Sequence, residues 1–108
     1  MQWYALTLGA RNTPAARRQF SRADDALIRR ITQKHFPDGF TILEARGGWW
    51  DSGRNRFVRE ESRQIQVSAK TPAAVRRWAG ELGRALGQSE LIVLKLGPAL
   101  PLRLARSS

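Results

Sequence analysis

The chain has 108 residues, enough for one domain with a buried core that needs neither disulfide nor metal. Cysteine is absent, which excludes a disulfide framework, a thiol nucleophile and a thiolate metal site. With 19 basic residues against 9 acidic ones the net charge is +10, so a nucleic acid or another polyanion is physically admissible as a partner.

Residues 2–8 (QWYALTL) alternate, with Tyr4, Leu6 and Leu8 on one side and Trp3, Ala5 and Thr7 on the other, which predicts a strand. A loop over 9–20 follows, with Pro14 and the basic pair Arg17 and Arg18. Ser21 then offers an N-cap and Asp24 stands in the capping-box position. A helix therefore starts here and carries Leu27, Ile28 and Ile31 as its apolar stripe to about Lys34. Asp25 and Arg29 are spaced to pair on its wet face. Phe36-Pro37-Asp38-Gly39 is a stop and turn signal.

The second strand runs from Phe40 to about Trp50, a polar loop covers 51–56, and the third strand covers 57–69. In that third strand Ile65 and Val67 face away from Gln64 and Gln66. Thr71 caps a second helix with Pro72 in its first turn. Its stripe is Val75, Trp78, Ala79, Leu82, Ala85 and Leu86, and Gly87 ends it. Gly80 and Gly83 fall near the outer face, each weakening the helix by about 1 kcal/mol against alanine. The last strand covers 90–96.

This β-α-β-β-α-β order predicts a ferredoxin-like α+β domain over 1–97, a four-stranded antiparallel sheet with two helices on one face. Residues 98–108 form a basic C-terminal tail or packing arm. The second and fourth strands read as apolar on both sides (Phe40, Ile42, Leu43; Leu91, Ile92, Val93, Leu94), where a half-solvated sheet should alternate. A covering partner is expected on the open sheet face or its edges: a second copy in a homodimer, or the C-terminal arm.

The run F-P-D-G-F-T at 36–41, the G-x-W of Gly47, Gly48 and Trp49, and the R-E-x-S of Arg59, Glu60, Glu61 and Ser62 are several separated signals in one order. With the helix ahead of the turn and Gly87-Gln88-Ser89 before the last strand, the chain resembles an uncharacterised bacterial family, a domain of unknown function, over roughly 4–96. That resemblance implies a compact α+β domain and supplies no catalytic residue. Many members of that family carry an N-terminal export signal or a lipid-attachment cysteine. No signal peptide is visible here, nor an apolar run of membrane-spanning length, so a cytoplasmic location is expected.

Two sets of residues are candidate sites. Trp49, Arg59, Glu60 and Ser62 cluster near one hairpin, where Arg59 can bind an anion and Glu60 can act as acid or base. The same residues can equally form a cross-strand ladder that pins register. Arg11, Arg17, Arg18, Arg22, Arg29 and Arg30 offer a looser electrostatic surface for polyanions. Set against that, 16 of the 19 basic residues are arginine and only Lys34, Lys70 and Lys95 are lysine, a bias a GC-rich genome produces unaided. His35, the one histidine, reads as a partner of the helix C-terminus or as a base with Asp38. No metal or other cofactor is expected, and Trp78 reads as core. The function these features favour is a small, basic, non-enzymatic binding protein, dimeric, with affinity for nucleic acid or another polyanion. A small-molecule enzyme of the dimeric α+β barrel type is one alternative. A mobile-element protein that inhibits a nucleic-acid-handling complex is another.

Overall fold

The computed structural model describes residues 1–10, 20–88 and 91–98. Its elements are β1 (Gln2–Gly9), α1 (Arg22–His35), β2 (Thr41–Asp51), β3 (Arg56–Ala69), α2 (Pro72–Leu86) and β4 (Ile92–Pro98). The strands form one antiparallel sheet in the order β2-β3-β1-β4, the ferredoxin-like arrangement predicted from the element order. Arg11, Arg17, Arg18 and the tail from 99 onward lie outside the described residues.

The helix starts follow local chemistry. Ser21 Oγ accepts from the Asp24 amide at 3.0 Å while Asp24 Oδ2 accepts from the Ser21 amide at 2.9 Å, a closed capping box. Thr71 Oγ1 caps α2 through the Ala74 amide at 3.3 Å, with Pro72 in the first turn, and α2 ends on Gly87 at φ 67°. The core lies between the helices and one sheet face. Leu6, Leu8, Ile65 and Val67 meet Ile28, Trp78 and Leu82 there. Trp78 is fully buried, donates from Nε1 to Thr32 Oγ1 at 3.1 Å, and receives the edge of Phe36 at 5.2 Å between centroids.

Three local expectations change. Asp25 does not turn to Arg29; its carboxylate faces inward to Arg63, because a buried guanidinium needs a partner more than a solvated one does. Gly83 is buried rather than outward, and a Cβ there would stand 3.3 Å from the Gln88 carbonyl oxygen and 3.5 Å from Leu91 Cδ1. Its missing side chain lets the segment after α2 return across the helix. Ala85, placed on the apolar stripe, is exposed instead.

The sheet is uneven in length. β1 pairs with β3 from Gln2↔Ala69 to Gly9↔Ser62, whereas β2 pairs with β3 onward to Asp51↔Arg56. Among the described residues the outer part of the β2–β3 hairpin is thus a two-stranded arm, and the molecule reaches 58 Å along its longest axis against 29 and 25 Å across. Its turn is held by Asp51 Oδ1, which accepts from the amides of Gly53 (3.1 Å) and Arg54 (3.2 Å), and by Asn55 at φ 53°.

The last strand sits at the sheet edge. A register shift between Trp3 and Tyr4 moves it two residues past the expected span, to Ile92–Pro98. Ile92, Val93, Leu94 and Leu96 are 61%, 36%, 51% and 54% exposed, so apolar side chains meet water on both of its faces.

Candidate functional site

Strand alternation divides the hairpin into two faces. On the helix side the opposed pairs, moving outward, are Glu44 with Arg63, Arg46 with Glu61, Gly48 with Arg59, and Trp50 with Phe57. The first two rungs are opposite charges directly across the strands, which fixes register. Arg63 anchors them. It is 4% exposed and donates to Asp25 through Nε (2.9 Å) and Nη2 (3.3 Å). It also donates through Nη1 to the Ser62 carbonyl oxygen (3.2 Å) and lies 3.0 Å from Glu61 Oε1. The Phe20 ring covers the guanidinium at 4.7 Å. The Asp25 carboxylate, bonded to this group, raises the Arg63 pKa above its ordinary value. Every donor direction is taken by a protein group, so Arg63 joins hairpin to α1 instead of awaiting a ligand.

The four residues predicted as a hairpin site do not converge. Trp49, Glu60 and Ser62 share the sheet's open face, and Arg59 points to the helix side across from Gly48. Ser62 is buried opposite Ala45 and Gly9. The Glu60 carboxylate lies over Gly9, where a Cβ would come within 3.1 Å of Oε1. Arg59 is exposed.

A half-open cleft of about 830 Å³ runs along this hairpin, lined by Glu44, Arg46, Arg59, Glu60, Glu61 and Arg63 among others. Its carboxylates and guanidinium groups can order a polar ligand. It holds no serine, threonine or cysteine beside a base, and no group of three metal-ligating side chains occurs among the described residues.

A second cavity of about 610 Å³ lies at the other end of the sheet, lined by Trp3, Phe36, Phe40, His35, Asp38 and Lys70 among others. His35 and Asp38 both border it, but His35 Nε2 lies 3.0 Å from Glu81 Oε1 on α2. Lys34 Nζ donates to both oxygens of the same carboxylate at 2.8 and 3.0 Å. The bonds from Lys34 and then His35 hold the Glu81 carboxyl below its ordinary pKa of 4.5. A depressed carboxylate pKa stabilises the fold fully above the ordinary value and loses that contribution as pH falls through the folded one. Glu81→Gln is therefore expected to flatten the acid limb of the stability profile. Denaturant midpoints near neutrality and at about pH 3 check this, and an equal acid loss in both proteins removes the assignment.

The solvent side of the helix layer is basic beyond the sequence expectation. Arg22, Arg29 and Arg30 on α1 are exposed, and so are Arg76, Arg77 and Arg84 on α2. The helix acids are engaged elsewhere: Asp24 in the cap, Asp25 with Arg63, and Glu81 with Lys34 and His35. The three α2 arginines were not among the predicted polyanion contacts, although their place in the gaps of an apolar stripe marks them as outward-facing.

Residues 5–84 match the family described as "Protein of unknown function (DUF3574)". The chain belongs to this family. No curated protein matches the sequence. Several solved structures share the fold. The chain is similar to the periplasmic divalent cation tolerance protein CutA from Archaeoglobus fulgidus, at 10% identity and TM-score 0.60, over 94% of this chain and 87% of that one. It is similar to a phage SAM lyase in its apo state, at 15% identity and TM-score 0.62, over 89% and 79%. It is also similar to Bacillus subtilis GlnK in its ATP complex, at 13% identity and TM-score 0.52, over 88% and 83%. At these identities the likeness is one of fold. It places this DUF3574 chain among ferredoxin-like domains with a β2-β3-β1-β4 sheet.

Proposed function

We propose that this protein is a non-enzymatic binding module that self-associates through its β4 edge. The observation that carries the reading is the exposure of Ile92, Val93, Leu94 and Leu96 on a strand with only one neighbour among the described residues. A solvated edge strand ordinarily defends itself with charge, and β4 carries the single lysine Lys95. An antiparallel pairing of two β4 strands about a two-fold axis at Leu94 sets Ile92 against Leu96 and Val93 against Lys95. It joins two four-stranded sheets into one and keeps the two lysines apart. The cytoplasmic setting expected from the sequence belongs to this proposal.

Sedimentation at micromolar concentration tests it. The expected mass is twice the 12.2 kDa of the chain, and Leu94→Lys with Leu96→Glu is expected to return it to the single-chain value. A wild-type monomer overturns the reading and leaves the C-terminal arm as the cover for the sheet.

A second reading has its own observation. The six exposed arginines of the helix layer, with the neighbouring acids already engaged, form a surface suited to a polyanion. Such binding is sequence-tolerant and weakens steeply with salt.

A further inference from the structure

We propose that the outer end of the β2–β3 hairpin grips single-stranded nucleic acid, with bases stacking on Trp50 and Phe57 and with Arg54, Arg56 and Arg59 against the phosphates. The proposal rests on the polyanion reading and names both the strandedness and a second point of contact.

Trp50 and Phe57 are directly opposed in register on the helix-side face, and each is 57% exposed. Opposed side chains on one face stand about 5 Å apart at Cβ, so the two rings form one apolar surface at the tip of the arm. Gly48, in the next rung inward, leaves room for it. A Cβ at that position would lie 2.3 Å from Phe57 Cζ and 2.9 Å from the Val58 carbonyl oxygen, so the Phe57 ring extends across the glycine toward the rung that holds Arg59.

Charge selects the occupant. The inner rungs are neutral, because Glu44 faces Arg63 and Arg46 faces Glu61. The outer ones are not. Arg54, Arg56 and Arg59 are exposed there, and the nearby Asp51 is occupied by the Gly53 and Arg54 amides, with Oδ2 3.9 Å from Arg54 Nε. A second copy of this chain is a poor occupant, since the tip is cationic and the whole chain carries +10. A polyanion suits the arginines. The exposed rings select one whose bases are free to stack, since base–aromatic stacking works on any base but needs an open π-face. An isolated two-stranded ribbon is also marginal in water, and a ligand along the arm stabilises it.

Fluorescence anisotropy with a labelled oligothymidine and a duplex of equal length tests this, using the full chain at two salt concentrations. The wild type is expected to favour the single strand. Trp50→Ala with Phe57→Ala is expected to lower single-strand affinity roughly 10-fold or more while leaving duplex affinity unchanged. Arg54→Ala with Arg56→Ala keeps the rings and is expected to reduce the salt slope on the single strand by about one. Arg76→Ala, Arg77→Ala and Arg84→Ala together weaken both ligands if the helix layer also contributes. Equal binding of both nucleic acids, unmoved by the aromatic variant, overturns the hairpin assignment and leaves the polyanion reading standing. No binding of either at low salt overturns both. Capture by anionic vesicles, lost in the aromatic variant and without nucleic-acid binding, overturns the proposal in favour of a membrane surface.

Discussion

Trp78→Ala is expected to lower the unfolding free energy by about 4 kcal/mol, the largest effect of any single truncation in this chain. Three terms combine. The side chain is fully buried between the helices and the sheet, so its removal loses transfer energy and leaves a cavity. Its indole donates to Thr32 Oγ1, itself fully buried, so the hydroxyl loses a partner where water cannot replace it. Phe36 loses the face against which its edge packs. Trp78→Phe separates the terms by retaining most of the volume while removing the donor, and is expected to cost about 1–2 kcal/mol. Chemical denaturation gives both values. A Trp78→Phe cost equal to that of Trp78→Ala would mean that the hydrogen bond, not packing, dominates.

Arg63→Ala is expected to cost about 3 kcal/mol, toward the lower end for breaking a buried ion pair because Asp25 and Glu61 retain some contact with water. For a domain of this size that is a fall in Tm of more than about 10 °C. The residue joins α1 to the hairpin and lies under Phe20, so truncation removes an inter-element tie as well as a charge. Arg63→Lys keeps the charge but not the fork that meets both oxygens of Asp25, and should recover only part of the loss. Asp25→Ala should cost less than Arg63→Ala, because it strips one partner from a guanidinium that keeps Glu61 and the Ser62 carbonyl. If Arg63→Ala unfolds at the wild-type midpoint, the network is ornamental and the hairpin stands without it.

Much of the fold was legible locally. Ser21 with Asp24 and Thr71 with Pro72 announce helix starts through hydrogen bonds that close within three residues. The alternation of Tyr4, Leu6 and Leu8, and of Ile65 and Val67, marks which sides of the two central strands enter the core. The site was less legible. Alternation already placed Arg63 with Ile65 and Val67, yet its partner Asp25 is 38 residues away and spacing cannot reveal that contact. Trp49, Arg59, Glu60 and Ser62 look like one cluster in the chain, and the same alternation divides them between faces. The ring of Phe57 over Gly48 depends on a cross-strand register that no single segment encodes.

The sequence by itself determined the kinds and order of the elements, the caps, the core sides of the inner strands and the basic character of the chain. Each of these is settled within a few residues by hydrogen bonding, side-chain period or formal charge. Only the tertiary structure decided that β3 outruns β1, so that the hairpin projects as an arm, and that β4 lies at an edge with apolar side chains in water. It alone turned Asp25 to Arg63 and joined Lys34 and His35 to Glu81. These features depend on which distant segments meet and in what register, and that choice is made by burying the whole core at once.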